Sequence, residues 1–156
     1  MLALSFTASR QGFNPPPAIA LGMLAGLPPA SRYVTGACRG GDAFLGRWLL
    51  ANHPGAEHIV IVPADRSRVD AWWLDPALPR AKVTVFAMPP GTAYKDRNAM
   101  LVKRADQVTG FPAFPEDDPR SARSGTWQAI RMARAAGKLL QWQCVLPPYP
   151  AGGPQA

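Results

Sequence analysis

Arg32-Tyr33-Val34-Thr35-Gly36-Ala37-Cys38-Arg39-Gly40-Gly41-Asp42-Ala43-Phe44-Leu45 is the stretch on which the fold turns. A short run of strand character, Arg32-Tyr33-Val34, ends in a glycine-rich turn, after which Phe44, Leu45, Trp48 and Leu49 recur at helical spacing. A strand that passes through a tight turn directly into a helix is the opening half of a βαβ unit. The three glycines let the backbone turn sharply and approach a ligand with no Cβ in the way. Amides that open a helix carry partial positive charge, so the same turn suits an anion. Arg39 stands inside it with a planar guanidinium able to fork onto phosphate or carboxylate.

The flanking chain continues the alternation. Residues 2–7 read as a buried first strand. Asn14 and the three prolines after it open a helix to about residue 25, with Asn14 as N-cap and Gly26 as the stop. Residues 33–35 form the second strand and 41–51 its helix. Ile59-Val60-Ile61-Val62 is an uninterrupted β-branched run, as in a strand covered on both faces. Residues 64–81, with Trp72-Trp73 and two prolines, suggest a partly helical excursion packed on the sheet. Residues 82–86 alternate as a strand, either in the main order or as an edge addition outside it. Then follow a helix over 94–104, a central strand over 106–111, an exposed loop over 112–123, a helix over 126–136 ended by Gly137, and a last strand over 138–145. The pattern predicts a single-domain α/β protein over residues 1–146, with a mostly parallel sheet of about five or six strands and helices on both faces. Residues 147–156 read as a flexible Pro/Gly-rich tail. Ligands of such sheets bind outside the carboxyl ends of the strands, at the switch point.

Composition narrows the function. At 156 residues the chain is long enough for a substantial core. Its net charge of +7 comes from thirteen arginines and four lysines, dispersed with no run of five or six, which suits anionic ligands and does not single out nucleic acid. No apolar run approaches the roughly 20 residues of a membrane span, and the start reads as a strand, not a signal peptide. Two cysteines without a CxxC spacing point to a reduced, cytoplasmic setting. His53 and His58 have no partners at ligand spacing, so no metal is expected. The absence of a Walker A sequence, a G-x-S-x-G elbow and a G-x-G-x-x-G turn disfavours ATPase, α/β-hydrolase and dehydrogenase chemistry.

Four polar segments near strand ends and helix starts should converge: Ser9-Arg10, residues 35–42, residues 94–98 and Ser124-Gly125-Thr126. Asn98 shares a helical face with Leu101, Val102 and Ala105, which puts an amide on the apolar side, where it must be hydrogen-bonded. It either ties down the neighbouring loop or, with Arg97, meets a ligand's phosphate or base. Asp42 complements the dipole of its helix, or accepts a ribose hydroxyl, or orients Arg39. Ser124 is placed as an N-cap, leaving the amides of Gly125 and Thr126 and the Thr126 hydroxyl open to the cleft. Tyr94, Phe111 and Trp127 are read as packing residues ahead of base-stacking platforms. The expected ligand set is Ser9, Arg10, Gly36, Arg39, Gly40, Gly41, Asp42, Arg97, Asn98, Ser124, Gly125 and Thr126, with Asp42 and Asp96 as candidate catalytic carboxylates. Arg39 and Arg97 would clamp phosphate, and alanine at either is expected to weaken binding with little loss of fold.

The segments T-A-S-R at 7–10, T-G-A-C-R-G-G-D-A at 35–43, R-N at 97–98, A-D-Q-V-T-G-F at 105–111 and S-G-T-W at 124–127 together resemble the SLOG superfamily. That group includes the "lonely guy" phosphoribohydrolases, DNA-processing protein A and the molybdenum-cofactor carriers. The glycine-rich turn ending in aspartate and the Arg-Asn helix are similar to a small bacterial branch of it. The resemblance implies a modified Rossmann fold that binds a nucleotide or nucleotide-derived ligand, needs no further cofactor and forms a homodimer. The phosphoribohydrolases carry P-G-G-x-G-T-x-x-E, whose glutamate serves glycosidic cleavage. Here Ala129 stands at that position, and Ala122-Arg123 replace the preceding glycine pair. The leading expectation is therefore a binder of a phosphate-bearing metabolite, acting as carrier or sensor. The alternative is a phosphoribohydrolase-like enzyme using Asp42 or Asp96, and a DNA-associated module comes third.

Overall fold

The computed structural model describes residues 2–146; the tail expected over 147–156 lies outside the described residues. Six strands, β1 (Ala3–Ala8), β2 (Arg32–Gly36), β3 (Glu57–Val62), β4 (Val83–Ala87), β5 (Gln107–Phe111) and β6 (Leu139–Trp142), form one sheet in the order β4-β3-β2-β1-β5-β6. Every pairing is parallel. Four helices connect them: α1 (Ala18–Ala25), α2 (Gly41–Asn52), α3 (Tyr94–Lys103) and α4 (Gly125–Ala135). The fold is α/β and Rossmann-like, and its strand order reverses between β1 and β5, the place where such sheets open a crevice. Among the described residues, no helix is long and apolar enough to cross a membrane.

Strand alternation divides the core into two layers. Leu4 and Phe6 of β1, Tyr33 of β2 and Phe111 of β5 pack with Ala20 and Leu24 of α1 and with Leu45 and Leu49 of α2. On the opposite face Val34, Ile59 and Ile61 meet Leu101 of α3, while Val108 meets Val102 of α3 and Ala133 of α4. β3 therefore faces apolar neighbours on both sides, with Val60 and Val62 turned toward the α2 layer, which is why its sequence is continuous in β-branched residues. Gly110 of β5 has no room for a side chain, because a Cβ there would run into Ile130 of α4. That close approach seats α4 directly on the sheet beside the switch point.

β4 pairs in continuous register with β3, from His58↔Val83 to Val62↔Ala87, so it is the edge of the main order and no separate addition. Two boundaries differ from expectation. α1 begins at Ala18 with Pro17 as its N-cap, not at Asn14. Asn14, Pro15 and Pro16 each precede a proline, which disfavours helical backbone, and Pro17 is the first of the run free of that restriction. β6 ends at Trp142, short of the expected 145. Residues 64–81 hold two short 3₁₀ turns, Arg66–Arg68 and Ala71–Leu74, and Trp72 packs on α2 where Gly46 leaves space for its ring. α4 ends in a Schellman arrangement: Gly137, at φ +67°, donates to Arg134 O at 3.2 Å, and Lys138 N donates to Ala133 O at 3.1 Å.

Candidate functional site

All four segments expected to converge lie at the carboxyl edge of the sheet, around a cleft of about 1060 Å³. Its floor is the end of β1, Thr7 and Ala8, with Cys38 and Asp42 beside it. One wall is the β5–α4 connection and the first turns of α4. The other is formed by Arg10, by Arg68 of the first 3₁₀ turn, and by Tyr94, Lys95 and Arg97 of α3.

The glycine-rich turn does not present its helix to this cleft in the way its sequence suggests. The first amide of α2, Gly41 N, donates to Ser9 O at 2.9 Å, and Ala43 N donates to Cys38 O at 3.1 Å. Gly40 holds φ +88°, and a Cβ on it would collide with the backbone of Arg10. A Cβ on Gly41 would meet Ala8 and the Ser9 carbonyl. The close approach that these glycines permit is that of the chain's own β1–α1 connection. Arg39 turns outward: its Nη2 donates to Ser67 O at 2.9 Å and its backbone N to Arg68 O at 2.9 Å, fastening the turn to the loop after β3. It does not line the cleft, which corrects its expected place as a phosphate clamp.

Below the turn sits a buried ion pair. Arg97 is 6% exposed and Asp42 3%, with Arg97 Nη1 3.3 Å from Asp42 Oδ2. Gly36 is required here, since a Cβ would occupy the space of both groups. Burial pushes the Asp42 carboxyl above its ordinary range, opposed by Arg97 and by hydrogen bonds from the amides of Ala8 and Cys38. Asp42 therefore orients Arg97, not Arg39. Arg97 Nη2 lies 3.9 Å from Cys38 Sγ, and its Nε has no hydrogen-bond partner. Arg97 is a member of a buried ion pair as well as a cleft residue, so an alanine there is expected to cost stability besides binding. Burial, and then Asp42, raise the Cys38 thiol, which stays protonated and is no ready nucleophile. The Tyr94 ring has two guanidinium groups over it, that of Arg68 at 5.9 Å and that of Arg97 at 5.8 Å from its centroid. Tyr94 thus belongs to the cleft wall, whereas Phe111 and Trp127 are wholly buried packing residues.

Asp96, the other candidate carboxylate, is exposed in the first turn of α3, where its Oδ2 accepts from Ala93 N at 2.8 Å. It caps the helix and does not line the cleft. Asn98, 1% exposed, ties α3 to α4: its Nδ2 donates to Gly125 O at 3.2 Å and to Gln128 Oε1 at 2.9 Å. Of its two readings the geometry realises the structural one, although Asn98 Oδ1 is left without a partner.

α4 is the open helix end. Ser124 Oγ accepts from Trp127 N at 3.1 Å, and Ser124 O accepts from Gln128 N at 3.0 Å. The amides of Gly125 and Thr126 have no partner among the described residues, and both residues line the cleft with Ser124 and Gln128. No acidic side chain stands in the first turn of α4, whereas α2 has Asp42 and α3 has Asp96. Ala129, the position of the glutamate in the phosphoribohydrolase pattern, is wholly buried and outside the cleft; Gln128 faces it instead. Ser9 lines the cleft while its Oγ accepts from Gln11 N at 3.0 Å.

The remaining cleft cations are Arg68, Lys95, Arg120, Arg123 and Arg131, and the expected ligand set held none of them. Arg120 pairs with Asp118 and Arg131 with Glu116. Among the described residues, Arg10, Arg68, Lys95 and Arg123 line the cleft outside any close ion pair, and the charge of Arg68 helps to hold the nearby Asp65 carboxyl below its ordinary range. Arg123 was the one open to inference, since it immediately precedes the Ser124 cap; the others are brought in by tertiary contacts. Comparison of the chain with protein-family models, with curated proteins and with solved structures found no match.

Proposed function

We propose that the cleft binds a nucleotide or a nucleotide-derived, phosphate-bearing metabolite, and that the protein acts as its carrier or sensor. The observation that carries this reading is the α4 end: two unpartnered amides, a hydroxyl and Arg123 at the switch point, with no acid in the first turn. A phosphate oxygen seated there would accept from the Gly125 and Thr126 amides and from the Thr126 hydroxyl, with Arg123 neutralising its charge. The resemblance to the SLOG superfamily supports the same ligand class, and homodimer formation and cytoplasmic residence go with that resemblance. Binding without efficient turnover is supported by the carboxylates. Asp96 is outside the cleft, Asp42 is held by Arg97, and Ala129 brings no acid.

One observation favours a second reading, a nucleotide hydrolase. Asp42 lines the cleft with its carboxyl raised by burial, as general acids often are. Native mass spectrometry of freshly purified protein, followed by calorimetry with nucleoside phosphates, tests the binder. A co-purifying nucleotide, and an affinity lowered about tenfold by Arg123→Gln, are the expected results. Calorimetric silence across the common nucleoside phosphates at millimolar concentration would remove it. Release of free base by the wild type, seen by chromatography and lost in Asp42→Asn, would put the hydrolase first.

A further inference from the structure

We propose that the cleft is built for a ligand with two separated anionic groups: one on the α4 amides and Arg123, the other on Arg10, Arg68 and Lys95 across the cleft. The ligand class is a nucleoside polyphosphate or a nucleotide with a second phosphate, in preference to a nucleoside monophosphate. This rests on the nucleotide reading above and sharpens it.

Charge is the first argument. Two ion pairs at the cleft, Asp42–Arg97 and Asp118–Arg120, are neutral as pairs, while Glu116 is shared by Arg131 and Arg134 and leaves the α4 side one positive charge in excess. The cations left over stand on both walls: Arg123 on the α4 side, and Arg10, Arg68 and Lys95 on the α3 side. A single phosphate on α4 would leave Arg10 and Lys95 across the cleft with no carboxylate paired to either, and Arg68 with only the exposed Asp65 carboxylate near it. A ligand bridging the walls answers both groups.

The α3 wall is also assembled with some definition. Gly40 can adopt its backbone only because it has no Cβ, and it is pressed against the Arg10 backbone. The next-door amide, Arg39 N, holds Arg68 O. The glycine turn therefore brings Arg10 and Arg68 to one place. Arg68 lies over the Tyr94 ring, and Lys95 follows Tyr94 in the first turn of α3. Arg97 lies in the same wall, 6% exposed and with an unpartnered Nε. An unsatisfied guanidinium nitrogen so deeply set is costly unless a ligand or water meets it. Size agrees: about 1060 Å³ is slightly above the roughly 300–1000 Å³ of ordinary small-molecule sites.

The test is calorimetry with the 5′-mono-, di- and triphosphates of one nucleoside, with a chelator present so that the bare anions are compared. The triphosphate is expected to bind at least about tenfold more tightly than the monophosphate, because the second group adds charge-assisted hydrogen bonds. In the Arg68→Gln/Lys95→Gln double variant the ratio of the two affinities should collapse toward one. In Arg123→Gln both affinities should fall together. The three side chains are exposed, so melting temperatures near wild type are expected and would show the variants folded. Mono- and triphosphate binding within about threefold of each other in the wild type would overturn the two-anion proposal and leave the single-phosphate reading standing. A ratio unchanged in the double variant would overturn the assignment of the second group to this wall. No binding of any nucleotide would remove both readings together.

Discussion

The amino-terminal ends of α2 and α4 stand at the same edge of the same sheet and were equally attractive in sequence, yet they do opposite things. The α2 end has three glycines and an arginine, but its first amide goes to Ser9 O, its glycines admit the chain's own backbone, and Asp42 occupies its first turn. The α4 end has one glycine, no acid and two open amides. Glycine in a strand–helix turn reports that something comes close, without saying whether it is ligand or protein. The absence of a carboxylate from the first turn is the more direct mark of an anion site, because a carboxylate there already answers the positive end of the helix.

The largest expected effects break the comparison on the α2 side. Gly40→Ala should destabilise the fold by about 3 kcal/mol or more, adding left-handed backbone strain to a collision with Arg10. Gly125→Ala meets only Asn98 Nδ2 at an ordinary 3.6 Å and should change stability by less than about 1 kcal/mol. Chemical denaturation of the two variants checks the contrast; equal losses would mean that the two turns are packed alike.

Next comes the ion pair beneath the glycine turn. Arg97→Met leaves a buried carboxylate without its cation and should cost about 3–5 kcal/mol. Adding Asp42→Asn should return a large part of that loss, since the unpaired charge is then gone. A double variant no more stable than Arg97→Met would show that Arg97 acts through packing alone.

On the α4 side the effects should fall on binding. Thr126→Val keeps the shape of a nearly buried side chain and removes one hydroxyl, so nucleotide affinity should drop by about two- to tenfold. Melting temperature should stay within a few degrees of wild type, as circular dichroism would show. A large thermal loss with intact affinity would make this hydroxyl structural.

The smallest effect concerns the far end of α2. His53 is its C-cap, its ring lies tilted against Tyr33 at 4.9 Å, and its carbonyl lies 2.9 Å from His58 Nε2. Burial holds the His58 imidazole below its ordinary 6.5, with the His53 carbonyl pulling it up and the His53 ring pushing it down. Stability is thus full above about pH 6.5, where the unfolded chain is also neutral. It declines as pH falls toward the lowered folded value, because only the unfolded chain takes up the proton. Hydrogen exchange at pH 5 should therefore show the last turn of α2 losing protection while α4 keeps it, and His58→Gln should flatten the difference. Equal loss in both helices would dissociate His58 from α2.

Much of this architecture was legible in the sequence. The period-two and period-3.6 patterns of apolar residues, the β-branched run of β3, the Ser124 cap and Gly137 are local signals, and they set six strands, four helices and a parallel sheet. Local signals also placed the four polar segments at one edge of the sheet, since loops after parallel strands collect at one end. What tertiary structure alone decided was the partner of each polar group. Asp42 and Arg97 meet across 55 residues, Arg39 and Ser67 across 28, and Asn98 and Gly125 across 27. Whether a helix amide is open or occupied, and whether an arginine faces ligand, carboxylate or carbonyl, depends on which distant segment packs against it. A linear pattern records the donors and acceptors; only the folded chain brings each donor to its acceptor.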